Sequence, residues 1–207
     1  TNGSSPEFSW TPGTDSESGV KGYCLYLGTD NSADPSTTKG LLGSSGLNDG
    51  SHCQFMINSN TVNLSTAGYM GTPMTSSNDK YYFKVKAIDN SGNVSNDESI
   101  FEFKFDNTPP NNPSSISAPS GYVNDKAVTL SWATTGGSAP NDTNSGIAGL
   151  QYRISNSGTW YGSDHTGLGD MDDLLSNGGS YTMQDPPDFG NLQDGVNTVY
   201  FRTFDNA

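Results

Sequence analysis

The chain has 207 residues, with 22 acidic against 9 basic side chains and a formal charge of −13. Such a surface repels phosphate backbones and anionic lipid, which argues against nucleic acid as a partner. No apolar run approaches the ~18 residues of a membrane helix, and 25 Gly and 11 Pro among abundant Ser, Asn, Thr and Asp predict many turns and few helices.

The length suits two domains of about 100 residues each, or one large all-β domain. Aromatic residues (3 Trp, 10 Tyr, 9 Phe) fall mostly in alternating runs, which a disordered chain would not need. The reading is therefore a folded, turn-rich β protein. Its acidity suits either solubility in an exposed setting or binding of divalent cations.

In chain order, "PEFSW" (6–10) predicts a first short strand closed by Trp10. "TDSESGVKGYCLYLG" (14–28) predicts an acidic Ser-Gly turn that enters a second strand. Cys24 and Cys53 can form one disulfide, worth about 3 to 4 kcal/mol for a loop of that length. Such a bond suits an extracellular module; two free thiols are the alternative. "DPSTTKGLLGSSG" (34–46) predicts a helical turn or a long loop.

"YYFKVKAIDNSGN" (81–93) has a period of two, with Tyr81, Phe83, Val85 and Ala87 on one face and Lys84 and Lys86 on the other. The next strand, "ESIFEFKFD" (98–106), sets Phe101, Phe103 and Phe105 against Glu102 and Lys104. Each strand then has one buried and one wet face, the pattern of antiparallel sheets packed as a sandwich. "FDNTPPNNPSS" (105–115) follows, and its tandem Pro109 and Pro110 predict a stiff connector with a boundary near Asn107.

After the connector the same blocks recur in the same order. "VTLSW" (128–132) matches the strand that ends in Ser-Trp, and "NDTNSGIAGLQYRIS" (141–155) matches the acidic turn with its strand. "NTVYFRTFDNA" (197–207) matches the aromatic strand that ends in Asp-Asn. Three blocks in register predict an internal repeat. A second loop, "GDMDDLLSNGG" (169–179), takes the place of 34–46.

"SGIAGLQYRIS…VYFRTFDNA" and "SGVKGYCLYLGTD…VKAIDNSGNVS", joined by "DNTPP", resemble the immunoglobulin-like and fibronectin type III-like repeats of large bacterial surface and secreted proteins. The resemblance implies an all-β chain of two tandem immunoglobulin-like sandwiches, a fragment of a longer array. Residues 1–107 would form a sandwich lacking its first strand, and 108–207 one lacking its last strand. A neighbouring chain supplying those strands is the alternative.

The implied function is a non-catalytic stalk or spacer at the cell surface or outside the cell, with neighbouring repeats as partners. The alternatives are an adhesin module that binds a host glycan or protein, and an accessory module of a secreted hydrolase. Fold class alone does not decide among them.

For catalysis the sequence offers little. His52 and His165 stand in polar loops, and "DMDD" (170–173) reads as solvated acids. Calcium is the sharper expectation, because turns rich in Asp and Asn supply oxygen ligands. In sandwiches of the resembled type, the loop after the second strand and the loop before the last meet at one pole. A junction site would use Asp106, Asp142, Asn144 and Asp205, and a second site Asp15, Glu17, Asp89 and Asn93. The competing reading is that these side chains bond to their own backbone and build turns. For a glycan or protein ligand, the loop aromatics Trp160 and Tyr161 are the candidates, followed by Tyr69 and Tyr181.

Overall fold

The computed structural model describes residues 6–47, 52–155, 157–162, 174, 178–183 and 192–207. The chain divides into two compact units, the first ending at Asn107 and the second spanning Thr108–Asn206. Every pair of neighbouring strands runs antiparallel. A 3-10 turn lies at Gly136–Ser138, and among the described residues no helix is long and apolar enough to cross a membrane.

The first unit holds two sheets. One pairs β1 (Glu7–Ser9) with β4 (Thr61–Asn63); the other runs β3 (Met56–Ile57), β2 (Val20–Gly28), β5 (Ser77–Asp89), β6 (Ser99–Phe105). Strict alternation selects the face between them. Tyr23, Leu25 and Leu27 of β2 and Tyr81, Phe83 and Val85 of β5 are buried there with Phe8 and Val62 from the other sheet. Phe8 stacks on Phe83 with ring centroids 4.0 Å apart and meets Phe101 edge-on at 5.4 Å. This packing of one sheet on another is a β-sandwich arrangement.

The reverse face of β2 and β5 departs from the expected wet face. The segment between β2 and β4 folds over it, so that Cys24, Cys53, Met56 and Ile88 form a second apolar cluster. Lys84 lies under the same cover, only 1% exposed. Its ammonium donates to the carbonyls of Asn31 (2.6 Å) and Ala33 (3.0 Å) and to Glu98 Oε1 (3.0 Å), which uses all three of its N–H groups. Lys86 pairs with Asp34 at 2.8 Å. Alternation predicts lysines in water here; the long insert turns them into anchors. The 34–46 stretch is a loop with a turn, pinned where the Asp34 carbonyl accepts from the amides of Thr37 and Thr38.

A disulfide joins Cys24 to Cys53 across 29 residues, with a Cα–Cα distance of 5.3 Å. It ties β2 to the insert just ahead of β3, and it fits an oxidising environment.

In the second unit the described strands also form two sheets. β7 (Ile116–Ser117), β8 (Thr129–Trp132) and β10 (Ser180–Thr182) form one sheet, and β9 (Ile147–Ile154) pairs with β11 (Val199–Asp205) in the other. Leu130, Trp132 and Tyr181 face Leu150, Tyr152, Ile154 and Phe201 in a common core. Trp132 and Trp10 do pack inward, Trp132 against Phe201 at 5.7 Å and Trp10 against Tyr23 at 5.3 Å. Among the described strands β1 pairs with β4 alone, whereas its counterpart β8 pairs on both sides.

Three measurements bear on the packing of the first unit. Lys84→Ala leaves two carbonyls and the half-buried Glu98 carboxylate without their donor, and should cost about 3 kcal/mol in denaturant unfolding. Lys80→Ala should cost under about 1 kcal/mol, because the Lys80–Glu102 pair is 54% and 44% exposed. Reduction of the disulfide should lower the stability of this unit by about 3 to 4 kcal/mol in the chain-entropy view. Unchanged stability on reduction would contradict the buried cross-link.

Candidate functional site

The repeated Ser-Gly turn and the repeated Asp-Asn strand end meet in each unit. In the first, Asn90 Nδ2 donates to the carbonyls of Ser18 (2.8 Å) and Gly19 (3.0 Å), and the Asn90 amide donates to the Gly19 carbonyl at 3.0 Å. In the second, Asn206 Nδ2 donates to the carbonyls of Ser145 (3.0 Å) and Gly146 (3.2 Å), and its amide to the Gly146 carbonyl at 3.2 Å. Gly19 and Gly146 both sit at φ +78°, where a side chain would be strained. The Asn therefore clamps a left-handed turn at the mouth of the strand with which its own strand pairs.

The acids complete the turns. Asp15 Oδ2 accepts from the amides of Ser18 (2.8 Å) and Gly19 (2.7 Å) and from the Ser18 hydroxyl (3.0 Å). Asp142 Oδ1 accepts from the amides of Asn144 (2.7 Å) and Gly146 (3.1 Å). Asp89 binds the amides of Ser91 and Asn93 through Oδ1 and the Asn93 side chain through Oδ2, each at 2.8 Å. These bonds are those of the turn-building reading, and each acid retains lone pairs beyond them. Asp142 and Asp205 bring carboxylate oxygens within 4.8 Å of each other. Asp106 follows β6 in the first unit, and Glu17 is exposed.

Electrostatics follow from these contacts. The amide and hydroxyl of Ser18, with the Gly19 amide, hold the Asp15 carboxyl below its ordinary value. The Asn93 side chain, with the amides of Asn93 and Ser91, does the same for Asp89. For Asp34, burial pushes upward, but Lys86 and the amide and hydroxyl of Ser36 outweigh it and bring the group down to about 2.

The loop aromatics separate into two groups. Tyr161 bridges to β9 and lies 6.1 Å from Tyr152 at the core edge. Tyr181 is buried beside Tyr152 at 5.4 Å, where burial pushes its phenol up to about 12. Tyr69 meets Phe55 edge-on in the first core. Trp160 alone turns to the outer face of β9–β11, where the guanidiniums of Arg153 and Arg202 each lie 4.6 Å from its ring centroid. Tyr200 joins them, 5.0 Å from Arg153. Sequence reasoning overlooked these three residues. The signal was alternation, which sets Arg153 opposite Tyr152 and Ile154, and Arg202 opposite Phe201. His52 is exposed, whereas His165 and the 170–173 acids lie outside the described residues.

The depressed carboxyls give a pH dependence with a definite sign. Each carboxyl binds protons less readily folded than unfolded, so its contribution is present above the ordinary carboxylate range and disappears as pH falls through the folded values. The melting temperature of the first unit should drop between about pH 4 and pH 2, and Asp34→Asn should flatten part of that drop. Asn90→Ala and Asn206→Ala should each destabilise their own unit by about 1 kcal/mol, measured by denaturant titration. No protein-family model and no curated protein sequence matches the chain, so its function must be argued from the two clamps, the disulfide and the outer face of β9–β11.

Proposed function

We propose that the chain is a non-catalytic structural segment of a surface or secreted bacterial protein, two immunoglobulin-like sandwiches in tandem that act as stalk or spacer. The observation that carries this reading is the clamp, built from the same residue types at the same two strand ends in both units. Duplication of a stabilising device suits a part whose task is to persist under load. The Cys24–Cys53 disulfide is in keeping with an extracellular setting.

Calcium is proposed as an accessory ligand at the pole of the second unit. Asp142 and Asp205 offer carboxylate oxygens close enough to share one ion, and Asp142 Oδ2 is not used by the turn amides that bind Oδ1. Calcium bound there would neutralise two like charges at the end of β11 and tighten the turn ahead of β9.

Single-molecule stretching tests the mechanical reading. The two units should unfold as separate force peaks. Reduction should lengthen the step of the first by about 100 Å, at about 3.4 Å per residue over the 29 residues that the disulfide closes. A single stretch without peaks would sink the stalk reading. Millimolar calcium should raise the melting temperature of the second unit over EDTA, an effect lost in Asp205→Asn; coincident curves would remove the ion.

A further inference from the structure

The chain has only two arginines, Arg153 and Arg202, and β-sheet register brings both to one spot. Arg153 lies directly across from Tyr200, and Gln151 across from Arg202, so the four side chains share the outer face of β9–β11 with the arginines on a diagonal. Trp160 folds back from the loop after β9 to stack against both guanidiniums.

Among the described residues no carboxylate holds either cation, although acids outnumber bases by 22 to 9 in the chain. Arg202 spends Nε and Nη2 on one neutral acceptor, Gln151 Oε1, at 3.0 and 2.6 Å. Gln151 is itself 2% exposed, so this anchor is fixed from beneath. Among the described residues Arg153 makes ring contacts only, and its Nε is buried with no acceptor. Burial, and after it the charge of Arg153, lowers the affinity of Arg202 for its proton. Two like charges concentrated in a half-buried aromatic cluster, one with a buried Nε–H that lacks an acceptor, are complementary to an anion.

We infer that the outer face of β9–β11 is a binding site for a single carboxylate carried on a sugar ring, a uronic acid or similar acidic sugar. The carboxylate would take the Arg153 fork in the bidentate geometry that guanidinium favours. The apolar face of the ring would rest on Tyr200, which is 37% exposed beside it. Size and charge both matter. A polyanion would meet the −13 field of the chain wherever it left this spot, whereas one carboxylate on a neutral body would not. An acidic peptide is disfavoured on the same ground. The site does not depend on the stalk reading, since a spacer can carry a lateral sugar contact.

The test exploits the scarcity of arginine. In a proton–nitrogen spectrum of the whole chain, only two arginine Nε–H signals exist, one for each residue of the site. Methyl glucuronide should move the Arg153 Nε–H and Trp160 indole signals along a saturable curve at about 10 mM, ten times a millimolar Kd. The indoles of Trp10 and Trp132 should stay in place and report that the fold is intact. Methyl glucoside should bind at least about ten-fold more weakly, as should methyl glucuronide to Arg153→Lys, which keeps the charge and loses the planar fork. Added salt should weaken the binding. The inference is overturned if methyl glucuronide shifts nothing, if the neutral glucoside matches it, or if acetate or a glutamate-rich peptide binds as tightly.

Discussion

The architecture of both units depends on a single local constraint: a left-handed Ser-Gly turn closed by an asparagine from the neighbouring strand. The amide side chain of Asn90 or Asn206 satisfies two turn carbonyls at once. The turn opens β2 or β9, and the asparagine follows β5 or β11, the strand with which each pairs. The clamp therefore fixes register at the end where both ladders are irregular, between Val20 and Gly22 and between Phe204 and Asp205. A shift of one residue would exchange the faces of every side chain in the strand. Tyr23, Leu25 and Leu27 would then leave the core, and Cys24 would leave its partner.

Much of this was legible in the sequence, because period two and turn chemistry are local properties. The alternation of "YYFKVKA" assigns Tyr81, Phe83 and Val85 to the core, and the recurrence of Asp-Asn behind an aromatic strand marks the two places where an asparagine closes a turn. What stayed hidden depended on chain far away in sequence. Lys84 and Lys86 read as a wet face, yet the insert covers them and hands Lys84 two backbone carbonyls more than fifty positions upstream. Nothing in the neighbourhood of Lys84 records that. The opposite error attaches to Tyr181 and Tyr161, which stand in loops by sequence but lie, respectively, in the core and packed against its edge, because the pairing that places them is non-local.

The calcium question shows how one residue type serves two ends. Asp15, Asp89 and Asp142 each bind two or more donors of their own turn, so the acidity at these poles already has a structural use. That use does not compete with an ion. A carboxylate held by amides through one oxygen is oriented, and its second oxygen points in a fixed direction. Turn building and cation binding are successive demands on the same group, and only the second requires another acid nearby, as Asp205 is to Asp142.

The two units differ most on the outer face of their principal strand pair. In the first, the insert after β2 closes over β2–β5 with a disulfide, a buried lysine and an apolar cluster. In the second, the equivalent face of β9–β11 carries Gln151, Arg153, Tyr200 and Arg202 with Trp160 laid across them. A frame whose core needs only one side of each sheet leaves the other side open to be used. One copy spends that face on stability. The other concentrates there the chain's two arginines, two polarisable rings and a buried N–H without an acceptor. Packing alone gives no reason to gather like charges around one indole in an acidic protein, since mutual repulsion opposes it and lysine or threonine would suit a wet strand face. An anion resolves that conflict, which is why this face, and neither core, is where a ligand belongs.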